Sequence, residues 1–219
     1  MIRVRAVLTV LLLPAMAVTG EAYGQFPVKT DAGGVSLETF AYEMLIAEVA
    51  GQQGNASLSA RAYVDLSKRT RDPRVAQRAT EIALYARMNG LAIEAAQVWH
   101  DSDQSSVRAL QALAGLLVSA ERFDEALPYV RKLAAANPTE AFTQLDRSVA
   151  RSQDKVAALN LVRKLADGFP ALPEAHLGVA QAAQRAGERE LALQEVRRAL
   201  YLRSNWDAAN KLEREILER

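Results

Sequence analysis

Residues 69–90, "RTRDPRVAQRATEIALYARMNG", read as one helix with its punctuation attached. Asp72 is a side-chain cap, Pro73 fits the first turn where its missing N–H costs nothing, and Asn89-Gly90 supplies a left-handed stop. Between those marks Val75, Ala79, Ile82, Ala83 and Ala86 recur at spacings of three and four, which places small apolar side chains on one helical face. Alanine lets a second backbone come close. The stretch therefore asks for a matching helix, and the remainder of the chain supplies one repeatedly.

Working outward, "LETFAYEMLIAEVAGQQG" (37–54) is followed by "NASLSARAYVDLSKRT" (55–70), and the opening stretch by "LAIEAAQVWHDS" (91–102). Then come "SVRALQALAGLLVSAERFDEALPYVRKLAAANP" (106–138), "TEAFTQLDRSVARSQDKVAALNLVRKLADGFP" (139–170) and "PEAHLGVAQAAQRAGERELALQEVRRALYLRSN" (173–205). Each reads as a helix, a short turn and a second helix, giving five units. A small residue in each second helix (Ser59, Ala95, Ala126, Ala158, Ala192) precedes by four a larger one (Tyr63, Trp99, Val130, Val162, Val196). The large residues are 36, 31, 32 and 34 positions apart, a period that signifies an array of stacked helix pairs.

The 219 residues suffice for a sizeable core, and a 6% aromatic content with abundant alanine favours close-packed helices over a bulky β core. There is no cysteine, which removes disulfides, thiolate zinc sites and thiol nucleophiles. The two histidines, His100 and His176, fall in different units, so neither metal nor acid–base chemistry has a constellation to work with. The acidic groups Asp101, Asp103 and Asp124, and Glu188 with Glu190, sit in turns as caps or solvated ends. Asn55-Ala56-Ser57 matches a glycosylation acceptor, a three-residue signal of low specificity. No catalytic residue, metal or cofactor is expected.

The first residues belong to a different account. Arg3 and Arg5 form a basic region, "AVLTVLLLPAMAV" (6–18) an apolar run, and Ala22-Tyr23-Gly24 places small residues before a cut at Gln25. This predicts a signal peptide over 1–24 and a linker over 25–36. The apolar run is shorter than the roughly 20 residues a membrane-spanning helix needs. Losing residues 1–24 removes Arg3, Arg5 and Glu21, leaving 25 basic and 25 acidic side chains of the original 27 and 26. A neutral chain gives no reason to expect nucleic acid or an anionic membrane as partner.

On these residues the chain resembles tetratricopeptide repeat proteins over 37–205. The likeness is carried by the small first-helix position (Ala47, Ala83, Ala114, Ala180), the turn glycines Gly54, Gly90 and Gly187, Phe123 with Ala126, and the closing prolines Pro138 and Pro170. Asp146 breaks the small position in the fourth unit, which also lacks the turn glycine. The resemblance implies an all-α, right-handed superhelix of about five helix–turn–helix units, with 206–219 as a capping helix or the start of a further repeat. It also implies function on a surface rather than in a catalytic cleft.

The family's concave positions fall on Met44, Glu48, Thr80, Leu84, Arg87, Arg108, Gln111, Thr143, Arg147, Arg151, Leu177, Gln181, Gln184 and Arg185. Of these, Arg87, Arg108, Gln111, Arg147, Arg151, Gln181, Gln184 and Arg185 are the candidate groove residues. Arg and Gln there bond the carboxylates and carbonyls of a protein segment, while intervening apolar residues take its side chains. The Lys/Asn arrangement of chaperone-binding clamp repeats is missing, so a free C-terminal carboxylate is not the expected ligand. Arg147 and Arg151, four apart on one expected helix, form with Arg108 and Arg185 a basic strip suited to an acidic partner.

Residues 42–99 behind an export signal resemble, more narrowly, the N-terminal repeats of proteobacterial envelope tetratricopeptide proteins. Some of these are outer-membrane lipoproteins that bring a periplasmic carboxyl-terminal processing protease to peptidoglycan hydrolases. The resemblance implies a non-catalytic periplasmic adaptor, within a family that includes proteins associated with the outer membrane. No lipobox cysteine follows the apolar run, so a lipid anchor is not expected. The alternative is a structural subunit of an envelope-assembly machine.

Overall fold

The computed structural model describes residues 36–218; the expected leader (1–24) and all of the expected linker except Ser36 lie outside them. Among the described residues the chain is entirely helical, with eleven helices: α1 (Leu37–Gln52), α2 (Ala56–Thr70), α3 (Pro73–Tyr85), α4 (Asn89–Ser102), α5 (Val107–Ser119), α6 (Phe123–Ala136), α7 (Pro138–Val149), α8 (Lys155–Ala166), α9 (Pro173–Ala186), α10 (Arg189–Leu202) and α11 (Asp207–Leu217). They stack in chain order, each helix packed on its neighbours, with α5, α7 and α9 also meeting across units. This is the expected tetratricopeptide-type solenoid of five helix pairs and a terminal helix. No described helix is long and apolar enough to cross a membrane.

The helix starts follow from side-chain oxygens that accept otherwise orphaned backbone N–H groups. Ser36, Asn55, Asp72, Ser106, Asn137 and Asp154 cap α1, α2, α3, α5, α7 and α8. Asp72 accepts from the Arg74 N–H at 2.8 Å, and Pro73 opens α3. The second helices α4, α6 and α10 have no such cap: their N-cap positions carry Met88, Arg122 and Glu188, whose side chains accept no backbone N–H.

The turn between paired helices sets the register of the repeat. Gly54, Arg87, Glu121 and Gly187 have φ of 80°, 56°, 57° and 82°. The residue after each donates its N–H to the carbonyl five positions back (Ala50, Ala83, Leu117, Ala183), at 2.9 Å in all four cases. The left-handed residue of the second unit is thus Arg87, and Gly90, expected as the stop, lies inside the first turn of α4.

The same register shifts two further expectations. The fourth residue of each second helix is Ser59, Ala92, Ala126, Ala158 and Ala192, none more than 3% exposed. The residue four later is Tyr63, Ala96, Val130, Val162 and Val196, at intervals of 33, 34, 32 and 34. The second unit therefore uses Ala92 and Ala96, three positions before the expected Ala95 and Trp99. Counted back from the turn, its small first-helix position is likewise Thr80 rather than Ala83. Trp99 is still buried, against Ala76, Val98 and Ala109 between α3, α4 and α5.

The fourth unit departs from the others. No residue between α7 and α8 has a positive φ. Ser152 donates its N–H to the Val149 carbonyl at 3.0 Å, and Asp154 caps Ala157 at 2.8 Å. The Glu121 carboxylate, from the turn of the unit before, accepts the Gln153 N–H at 2.5 Å. α7 consequently contacts α6 and α9 more extensively than its own partner α8.

Candidate functional site

First helices of successive units lie side by side, so residues spaced three and four apart along α5, α7 and α9 form parallel rows with clefts between them. Gln111, Ala114, Gly115 and Val118 face Gln144, Leu145 and Ser148 across the first cleft. A second is lined by Val118, Ser119 and Glu121 opposite Arg147, Ser148, Arg151 and Ser152. The third runs between Phe142, Thr143, Asp146 and Arg147 of α7 and Glu174, Leu177, Gly178 and Gln181 of α9, closed at one end by Trp206. Val118 and Ser148 border the first two, and Arg147 borders the second and third. The three are therefore one continuous groove with an apolar floor and polar walls.

Four candidate residues meet in this groove: Gln111, Arg147, Arg151 and Gln181. Arg147 and Arg151 are both exposed and form no ion pair among the described residues. Contrary to the expectation drawn from their spacing, they do not share a helix: α7 ends at Val149, and Arg151 stands in the turn. Arg108, in the first turn of α5, and Arg87, in the left-handed turn after α3, are exposed but line none of these three clefts; Gln184 is half-buried and also outside them.

Arg185 corrects the basic strip. Its Nη2 donates to Asp146 Oδ1 at 2.6 Å, with both side chains about three-quarters buried. This explains the acid at a position that is alanine or threonine in the other units. Asp146 turns its carboxylate into the groove wall, where a guanidinium from the next unit neutralises it. Arg185 Nη1 is buried without a partner among the described residues. Two further concave candidates are spent on structure. Thr80 is buried and donates its hydroxyl to the Ala76 carbonyl at 2.8 Å. Glu48 accepts from the buried Tyr63 hydroxyl and pairs with Arg78 at 3.2 Å. The Tyr63 bond, joined by Arg78, holds the Glu48 carboxyl below its usual range, while burial and Glu48 push the Tyr63 phenol up to about 12.

Trp206 and Gln144 went unnoticed in the sequence. Trp206 lies outside the first helices, at the N-cap of α11, so no template based on those helices contains it. The Arg203 guanidinium sits 4.4 Å from its ring centroid and donates to Glu174 at 2.6 Å, fixing the end wall. Gln144 was one turn from Arg147 and Ser148 in a legible helix, a signal that could have found it.

Neither histidine is available for metal or acid–base work. His176 Nδ1 lies 2.7 Å from Glu195 and its Nε2 2.9 Å from the Pro170 carbonyl, which engages both ring nitrogens. His100 is buried edge-on to Tyr129, at 5.5 Å between centroids, with Lys132 Nζ 3.4 Å from Nε2. Burial, and then the Lys132 charge, lower its pKa, which favours the neutral ring. Among the described residues no group of three or more His, Asp or Glu could hold a metal ion.

No family model matches the chain. A TPR repeat-containing protein of Pseudomonas aeruginosa is 30% identical over 138 residues, covering 63% of this chain and 22% of the relative. The chain thus spans about a fifth of the length of the curated relative it matches. Solved structures similar to it include MamA (18% identity, 75% of this chain and 92% of that one, TM-score 0.44). YrrB, described as a TPR protein with an unusual peptide-binding site, is 16% identical over 78% and 90% of the two chains, TM-score 0.42. These looser likenesses fix neither curvature nor ligand. The stacked helix pairs have the architecture expected of a tetratricopeptide repeat array, and over 63% of its length the chain is similar to a TPR repeat-containing protein.

Proposed function

We propose that this protein is a non-catalytic adaptor, exported to the periplasm, that holds a segment of a partner protein in the groove along α5, α7 and α9. The observation that carries this reading is the continuity of the three clefts. An extended segment needs a run of apolar contacts interrupted by donors for its carbonyls and carboxylates. Val118, Leu145 and Leu177 supply the first, and Gln111, Gln144, Arg147, Arg151 and Gln181 the second. Arg147 and Arg151 stand free while Arg185 is neutralised, so at the second cleft two cations face the one acid Glu121, and an acidic segment fits there. Export rests on the leader-like residues 1–24. Delivery of a processing protease to cell-wall hydrolases rests on the resemblance of 42–99 to envelope adaptors.

The test is capture by the immobilised protein from periplasmic and cytoplasmic extracts at low salt. The parent retains a partner from the periplasmic extract, and the Arg147→Glu/Arg151→Glu double variant loses most of it with helicity and melting unchanged, since both residues are exposed. Equal capture by the double variant overturns the groove. Capture from the cytoplasmic extract alone overturns export.

A further inference from the structure

The three clefts of the groove differ in size and in charge, and the differences set an order of side chains for whatever lies in them. The first has a volume of about 50 Å³ and is walled by Ala114, Gly115 and Val118, space for a few water-sized groups and not for a ring. The third has about 160 Å³ over Phe142, Leu177 and Gly178, with Trp206 at its end. An apolar cavity of about 150 Å³ takes up benzene. The third cleft therefore matches one aromatic ring, and the first does not.

Charge separates the second cleft from the third. In the third, both carboxylates are already neutralised, Asp146 by Arg185 and Glu174 by Arg203, each at 2.6 Å. Apart from Arg147 on the shared rim, no charge is left there for a ligand to answer, and its guest is uncharged. In the second, Arg147 and Arg151 are free, the Glu121 carboxylate already accepts the Gln153 N–H, and the buried Ser152 stands in the wall. A carboxylate held between two guanidinium groups is the complement of that wall.

The distance between the two clefts sets the interval. Phe142 and Thr143 of the third stand five to six residues before Ser148 of the second on α7, about 7.5–9 Å at 1.5 Å per residue. In an extended segment, side chains two positions apart point the same way and are about 7 Å apart, whereas neighbours point to opposite faces. An acid at one position and a ring two positions away therefore reach both clefts at once.

We infer that the groove reads an acidic residue and an aromatic residue two positions apart in an extended segment of a partner protein. The carboxylate sits in the second cleft between Arg147 and Arg151, and the ring lies in the third against Leu177 and Trp206. This rests on the groove being the binding surface and adds which side chains of the partner are read, and at what interval. A segment with the acid alone, or with acid and ring adjacent, is a poor ligand.

The test is selection of short, random, linear displayed peptides on the immobilised whole chain at low salt. The enriched peptides should carry Asp or Glu two positions from an aromatic residue, and replacing that ring by alanine in a synthetic copy should weaken binding about tenfold or more. Thr143→Trp places the chain's own ring in the third cleft, and Trp206→Ala removes its end wall. Each should abolish the aromatic preference and keep the acidic one, with helicity checked by circular dichroism. Arg147→Glu/Arg151→Glu should abolish the acidic preference. Enrichment of the acid without the ring, or of a ring indifferent to both Thr143→Trp and Trp206→Ala, overturns the inference and leaves the groove standing. No enrichment, or enrichment indifferent to both arginines, overturns the groove as well. Two further results would overturn it by naming another occupant: a dimer of the protein alone that the selected peptide dissociates, or selection that succeeds only after residues 25–35 are removed.

Discussion

Arg87 holds a left-handed backbone that glycine occupies at the same place in the first and fifth units. An L side chain there costs about 1–2 kcal/mol, and glycine recovers that less its own larger loss of chain entropy. Arg87 is exposed, so Arg87→Gly is expected to stabilise the protein by roughly 0.5–1 kcal/mol, measured as a shift of the urea midpoint at constant slope. His100 gives the opposite lesson, a group whose burial penalises its charge. Its folded pKa lies below the ordinary value of about 6.5, so below that pH the unfolded chain takes up a proton that the folded chain refuses. Stability is lost as pH falls from about 6.5 towards the folded value. Paired melts at neutral pH and at about pH 5.5 should show the parent losing more than His100→Gln, which keeps an acceptor for Lys132 without the titration. Equal losses would place the acid sensitivity elsewhere.

At the scale of the element, the helices were legible because caps, prolines and three–four spacing agree, and the first pairing of Asp72 with Pro73 shows all of these at once. Register within α4 was not. That helix buries Ala92, Ile93, Ala95, Ala96, Val98, Trp99 and His100, so it has no single apolar stripe from which to count, and a large tryptophan next to alanines drew the alignment three residues forward. Gly90 added to the error, since a glycine in sequence marks permission for a turn, not its presence. Where one face only is buried, as at Ala126 in α6, the reading is firm. Ala126 sits at a close crossing with no exposure, so Ala126→Leu should overpack it and cost about 1–3 kcal/mol. Thermal melting should fall accordingly; an unchanged midpoint would mean the crossing lies elsewhere.

For the whole molecule, the sequence conveyed the solenoid and the side on which its first helices meet, but only part of the groove. Gln111, Arg147, Arg151 and Gln181 could be placed from the resemblance, because the family's concave positions recur with the repeat, although Arg151 lies in the turn after α7. The Asp146–Arg185 pair and the Arg203–Trp206–Glu174 wall could not, since each joins residues 29 to 39 apart through contacts with no sequence period. These contacts decide where charge is free, and so which cleft an acidic segment would choose. A photo-crosslinking side chain introduced in place of Gln144 in the groove, or of the exposed Asn160 on the outer helix α8, measures that choice directly in cells. The account predicts a protein adduct at 144 that disappears when Arg147 and Arg151 are replaced by glutamate, and none at 160. Adducts at 160 of equal yield, or an adduct at 144 indifferent to the two arginines, would contradict it.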